Sequence, residues 1–263
     1  MKKIGLALGS GGAKGLAHIA FIKALDELGV KPSIISGTSI GAIVGAFYAS
    51  GISGLEMEDI IKNLRFKDIG KMLDVSLFKG RGLIKGKGVI NFFKKYLRFK
   101  NFEDLEIPLK VVAADFWNRK EFIFEEGSLI FALRASMSLP VIFEPVKMTN
   151  TILIDGGSIN PLPYDLIRND CDILIAIDVS GEKVSSNNNP MPSMFDNIMN
   201  TFQIMQCSIV NNKKCYFKPD LYIKPELTNY RMLEFYRYEE ILLDAKKYAD
   251  FFKTELTQLL EKL

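Results

Sequence analysis

Gly37-Thr38-Ser39-Ile40-Gly41 is a G-x-S-x-G set between an apolar run and a stretch of small residues. A serine on a sharp strand-to-helix turn holds strained backbone angles and exposes its hydroxyl, and its neighbours two positions away must be small to avoid collision. The helix that follows aims its N-terminal N–H groups at charge developing near the serine. The same five letters also fit a plain turn packing a helix on a sheet, and a chain with 20 glycines produces them by chance. Gly41, Ala42, Gly45 and Ala46 after the serine favour a nucleophile at Ser39.

Two further stretches pair with it. In Gly9-Ser10-Gly11-Gly12-Ala13-Lys14-Gly15, consecutive glycines let backbone N–H groups crowd round an anion. A dinucleotide fingerprint would need an acidic residue at the end of the second strand, and that strand instead runs into Gly37. A P-loop would need Gly-Lys-Ser/Thr, which is absent here. An oxyanion hole for acyl transfer fits better, with Lys14 as a nearby cation. The third stretch is Asp155-Gly156-Gly157, at the end of an apolar strand, where open α/β sheets place their sites. Alone it reads as a turn aspartate. The chain has one histidine, His18, on the helix after the glycine loop, where a packing role suits it. Asp155 is therefore the best candidate base for Ser39.

The elements that must position these residues alternate. Strands are predicted at Lys3–Leu8, Ser33–Ser36, Leu109–Asp115, Glu121–Phe124, Thr151–Ile154, Ile173–Val179 and Leu221–Ile223. Helices are predicted at Leu16–Leu28, Ile40–Ser50, Leu129–Ser136 and Met194–Ile209, and the tail from Leu233 to Leu263 has helical spacing. Met194, Phe195, Ile198, Met199, Phe202 and Met205 read as the core face of their helix, or as an acyl channel. Lys183–Pro192 reads as a mobile loop. Asp115 and Asp178 suit turns or caps, and Trp117 is either an interface anchor or core filler. The whole is one α/β domain over residues 1–263, a mostly parallel sheet with helices on both faces.

The chain has 263 residues, 48 % hydrophobic and 25 % charged, which excludes a disordered chain or a disulfide-stapled mini-protein. Cys171, Cys207 and Cys215 lack CxxC spacing, so a reducing, cytoplasmic setting is expected rather than a zinc site. Pro32–Leu55 has no charge across 24 residues, but only 12 are apolar, which suits a buried strand–turn–helix better than a membrane span. The net charge is +3, yet Lys62–Lys100 holds 12 Lys/Arg against two Asp. That +10 block, in an insertion or lid at about 54–100, would attract an anionic membrane surface, or is simply a solvated face. No nucleic-acid recognition motif accompanies it.

In this order the motifs resemble the bacterial patatin-like phospholipases. The match is carried by LALGSGGAKGLAHIAFIKAL, SGTSIGAIVGA, RASMSLP followed by VIFEPV, and LIDGGSINPLP, across about residues 3 to 180. Ser10 stands where that loop often has glycine. The resemblance implies a three-layer α/β/α fold and a Ser39–Asp155 dyad without histidine. It also implies an oxyanion hole from the amides of Gly11 and Gly12, with Lys14, Gly37, Gly41, Gly156 and Gly157 supporting. The substrate implied is a phospholipid or lysophospholipid acyl ester, cleaved without metal or organic cofactor. The rivals are a general carboxylesterase or acyltransferase on the same dyad, and an idle lipid-binding module.

Overall fold

The computed structural model describes residues 2–63, 84–181 and 191–262. At its centre β1 (Ile4–Leu8) pairs in parallel with β2 (Ile34–Thr38), which continues in parallel to β3 (Leu109–Asp115). On its other side β1 pairs in parallel with β7 (Ile173–Ile177), which continues to β8 (Leu221–Ile223). β4 (Lys120–Phe124) and β6 (Thr151–Asp155) both join β3 antiparallel, and β5 (Val146–Met148) pairs with β6. All five residues of β1, β2 and β7 are buried, as expected of strands covered on both faces.

The pairing along β3 matters most for the site. β4 takes one edge, opposite Val111–Asp115. β2 and β6 therefore share the other edge, β2 opposite Leu109–Val112 and β6 opposite Ala113–Asp115. Because β6 runs against β2, their C-terminal ends meet head on. The sequence reading treats Asp155 as the end of a parallel strand; it is the end of an antiparallel one that arrives at the same place.

Leu6 and Leu8 face one side of the sheet, and Ala7 faces the other. On the first side lie α1 (His18–Glu27), α2 (Ile40–Ala49), α3 (Gly54–Lys62), α4 (Lys87–Tyr96) and α5 (Leu129–Ser136). The predicted helical tail forms α7 (Tyr238–Glu261) on this side as well. Its Phe252 ring meets Phe21 of α1 edge-on at 5.7 Å, and both are fully buried. Each such side chain contributes roughly 1.5–3 kcal/mol on burial. The opposite side is covered by a 3-10 stretch, Tyr164–Asp170, and by the C-terminal part of α6 (Met194–Tyr216), whose Met199 and Phe202 join the core of the first side.

Leu109–Asp115, Leu129–Ser136 and Leu221–Ile223 fall where the periodicity puts them. The helix predicted from Leu16 instead begins as a 3-10 turn, Gly12–Ala17, and becomes α-helical at His18. Gly15 is pressed there against Ile40, where a Cβ would lie 2.1 Å from that side chain. α3 and α4 are the described helices of the basic segment, whose residues 64–83 lie outside the described residues, as do 183–190 of the expected loop. α3 starts at a capping box between Ser53 and Glu56. Met57, Val89 and Phe93 tie α3 and α4 into the main core. Among the described residues no helix is long and apolar enough to cross a membrane.

Candidate active site

Ser39 is the single residue between β2 and α2, with φ 55° and ψ −121°. Its neighbours explain the turn. A Cβ on Gly37 would lie 2.6 Å from the Ala42 Cα, and one on Gly41 would lie 2.2 Å from the Leu8 carbonyl oxygen. The Ser39 N–H donates to Ser136 Oγ at 2.8 Å, which holds the strained residue from the end of α5.

The head-on ends of β2 and β6 place Ser39 Oγ 2.8 Å from Asp155 Oδ2, to which it donates. The other carboxylate oxygen, Oδ1, accepts the Gly157 N–H at 2.7 Å. The Asp155 N–H donates to the Ser138 carbonyl at 3.0 Å, which fixes the strand end. Gly156 must lack a side chain, because a Cβ would lie 2.3 Å from the Val112 carbonyl oxygen. Asp155 is buried, and burial pushes its carboxyl up to about 6 against the pull of the Gly157 and Ser39 hydrogen bonds. A carboxylate so tuned is a better proton acceptor than a solvated one.

Around the glycine loop the backbone donors divide in two. The Gly9, Ser10 and Ala13 N–H groups donate to the carbonyls of Ile177, Pro161 and Met232. Among the described residues, those of Gly11 and Gly12 have no acceptor, and both residues line the cavity that holds Ser39 and Asp155. Gly12 has φ +59°, and a Cβ there would lie 2.4 Å from the Met232 carbonyl oxygen. Backbone donors without a described acceptor, in the cavity that holds a hydroxyl nucleophile, are of the kind that can hold an oxyanion.

His18 is fully buried, and its Nε2–H donates to the Gly9 carbonyl at 2.8 Å. Burial pushes its pKa down to about 4, so the ring is neutral at pH 7. It clamps the start of the loop and touches neither Ser39 nor Asp155. Lys14 is also placed differently from the sequence reading. Its buried ammonium donates to the Ser180 carbonyl, and the residue is not part of the cavity lining. Asp115 accepts the N–H groups of Trp117 and Asn118, and Asp178 accepts from Ser180 N and Tyr222 Oη, so both serve turns and packing. Trp117 is 72 % exposed and packs edge-on against Phe116, not in the core.

The cavity above the serine has a volume of about 290 Å3. Apolar side chains wall it: Ile43 and Phe47 of α2, Ile60 of α3, Phe92 of α4, Leu139 and Phe143 after α5, and Phe202 of α6. The last of these fits the acyl-channel expectation for α6. Met194, Phe195, Ile198 and Met205 do not, since they are exposed, and only Met199 of that set is in the core. Ser136 and Gln206 are the polar residues that sequence reasoning missed. The signal for Gln206 is its place seven residues after Met199 and four before Val210, on the buried stripe of α6.

A three-layer α/β fold with this elbow, glycine loop and aspartate turn defines a class, and the chain belongs to the patatin-like phospholipase family, whose model matches residues 6–167. It is 33 % identical over 193 residues to an uncharacterized NTE family protein of Mycobacterium bovis, covering 73 % of this chain and 53 % of that protein. It is 28 % identical over 284 residues to Lysophospholipase NTE1 of Kluyveromyces lactis, covering 97 % of this chain and 19 % of that one. The chain thus spans about half the length of the mycobacterial relative and a fifth of the fungal one. The fold is also that of VipD from Legionella pneumophila, with TM-score 0.61 at 15 % identity, over 97 % of this chain and 67 % of that one.

Proposed function

We propose that this chain is a serine acyl-ester hydrolase that cleaves fatty-acyl esters of phospholipids or lysophospholipids through Ser39 and Asp155. One observation carries the reading: Ser39 Oγ donates to a buried carboxylate at the floor of an apolar cavity, beside two uncommitted backbone N–H groups. Ser39 Oγ attacks the ester carbonyl carbon as its proton passes to Asp155 Oδ2. The carbonyl oxygen becomes an oxyanion held by the Gly11 and Gly12 amides. Collapse breaks the bond to the glycerol oxygen, which takes the proton from Asp155 and leaves an acyl group on Ser39. Water then releases the fatty acid, and Asp155 serves as base a second time.

The apolar walls suit an acyl chain. α4 offers a surface for the rest of the membrane lipid: Val89, Phe92 and Phe93 line the cavity, while Lys87, Lys94 and Lys95 are exposed. These lysines favour transient contact with an anionic lipid surface beside the cavity. The experiment is fatty-acid release from mixed micelles of phospholipid and of lysophospholipid by wild type, Ser39→Ala and Asp155→Asn, each checked for folding. Release by wild type, lost in both variants, is the expected result. A folded wild type that releases nothing from lipids or simple esters removes the hydrolase reading and leaves a lipid-binding module.

A further inference from the structure

Gln206 is 5 % exposed and lies 196 residues from its partner Ser10, to whose Oγ its Nε2 donates at 3.0 Å. Both residues line the cavity that holds Ser39 and Asp155. Among the described residues the Gln206 Oε1 has no hydrogen-bond donor, and Gln206 is a cavity-lining residue. An amide oxygen without a protein donor is free to accept a hydrogen bond from a bound molecule.

The amide is also brought unusually close to the aspartate turn. A Cβ on Gly157 would lie 2.1 Å from Gln206 Nε2, 2.9 Å from Asp155 Oδ1 and 3.2 Å from Ser10 Oγ. The three polar groups converge on one point, and only a glycine at 157 admits the amide there. Gly157 is also the residue whose N–H orients the Asp155 carboxylate. The Gln206 amide is thus held at the aspartate turn through its Nε2, and its oxygen is the part left to accept a hydrogen bond.

We propose that Gln206 is a water-positioning residue for deacylation, an inference that rests on the Ser39–Asp155 reading above. The hydrolytic water donates one O–H to Asp155 Oδ2 and the other to Gln206 Oε1, which aims its oxygen at the acyl carbon on Ser39. As the new C–O bond forms, the first proton passes to Asp155, and the oxyanion rests on the Gly11 and Gly12 amides. Collapse then breaks the bond to Ser39 Oγ, which recovers the proton from Asp155. Gln206 exchanges no proton; it only accepts the second O–H. Ser10 holds the amide in the required orientation.

Methanol separates this role from a structural one, because it has a single O–H, which goes to Asp155. The measurement is the ratio of octanoic acid to methyl octanoate formed from p-nitrophenyl octanoate in buffer with added methanol. The expected result is that Gln206→Leu lowers the acid-to-methyl-ester ratio about tenfold, the worth of one neutral hydrogen bond. Ser10→Ala lets the amide turn and lowers the ratio by a smaller factor; it carries the same decision if Gln206→Leu does not fold. A ratio unchanged from wild type, with both products falling together, overturns the proposal and leaves Gln206 a packing residue. A wild type that forms neither product overturns the hydrolase reading, and this inference with it.

Discussion

Ser39 and Asp155 are separated by 116 residues, yet they face each other at 2.8 Å because β2 and β6 share one edge of β3 and end against each other. Neither strand could be lengthened by one residue without displacing the other. The distance between hydroxyl and carboxylate is therefore set by the β3 ladder.

On the proposed Ser39–Asp155 dyad, activity depends on one ionisation. Asp155 must be charged to accept the serine proton, and burial raises its carboxyl from 3.8 to about 6. Ester hydrolysis is expected to rise with pH through about 6 and level off above 7, with no second inflection from His18, whose pKa is about 4. A kcat/KM profile from pH 4.5 to 8.5 on a soluble ester reads this directly. A midpoint near the ordinary carboxylate value, with full rate at pH 5, would show that the site does not raise the Asp155 carboxyl, whereas a profile with no acid limb at all would show that Asp155 is not the base.

Ser39 stores strain in its backbone. At φ 55° and ψ −121° a side chain is disfavoured, at about 1–3 kcal/mol, whereas glycine tolerates the region. Ser39→Ala and Ser39→Gly should be equally inactive. Both variants lose the hydrogen bond to Asp155, so the comparison between them isolates the strain: Ser39→Gly should be more stable than Ser39→Ala by about 1–2 kcal/mol, the strain relieved less glycine's extra unfolded-state freedom. Urea unfolding of the three proteins tests the difference. Equal stability of the two variants would mean that the elbow is relaxed.

How far the site is legible in the sequence follows from how local each constraint is. Gly37 and Gly41 collide with groups on their own turn or on adjacent β1, so the elbow is visible in five letters. The glycine loop shows itself by its own letters, four glycines among residues 9–15, although the groups that exclude side chains at Gly11 and Gly12, Val179 and Met232, lie far along the chain. Ser136 and Gln206 are different. Each is an ordinary residue on an ordinary helix, and only tertiary packing brings it to Ser39 or Ser10. Where the Lys14 ammonium points is equally non-local: the sequence places a cation beside the glycine loop, and only the fold brings the Ser180 carbonyl to receive it. The antiparallel entry of β6 is equally hidden, since strand direction leaves no mark in five apolar letters.

Removing the buried charge should stabilise the fold at neutral pH. The folded-state pKa of Asp155 is raised, so its contribution to stability is full below 3.8 and is lost as pH rises through about 6. At pH 8 the ionised group therefore costs about 3 kcal/mol relative to acid conditions. Asp155→Asn keeps an acceptor for the Gly157 N–H and carries no charge. It is expected to be inactive, and more stable than wild type at pH 8, with the gap closing toward pH 4. A gap independent of pH would mean that Asp155 titrates normally.

His18 supplies the opposite slope over nearly the same range. Its folded-state pKa is lowered from 6.5 to about 4, so its contribution is full above 6.5 and is lost as pH falls through 4. The magnitude is again about 3 kcal/mol, because the ring is fully buried with its Nδ1 unpartnered. In wild type the two slopes oppose each other between pH 4 and 6, as Asp155 gains what His18 loses. Each single variant exposes the other group. Asp155→Asn should lose stability steeply on acidification, whereas His18→Gln should gain relative to wild type over the same range, and Asp155→Asn with His18→Gln should differ from wild type by a constant amount. His18→Gln keeps a donor for the Gly9 carbonyl and should retain hydrolysis within a few-fold at pH 7.5. Urea midpoints of the four proteins at pH 4.5, 6 and 7.5 give the test, and parallel curves for all four would show that neither buried group shifts its proton affinity on folding.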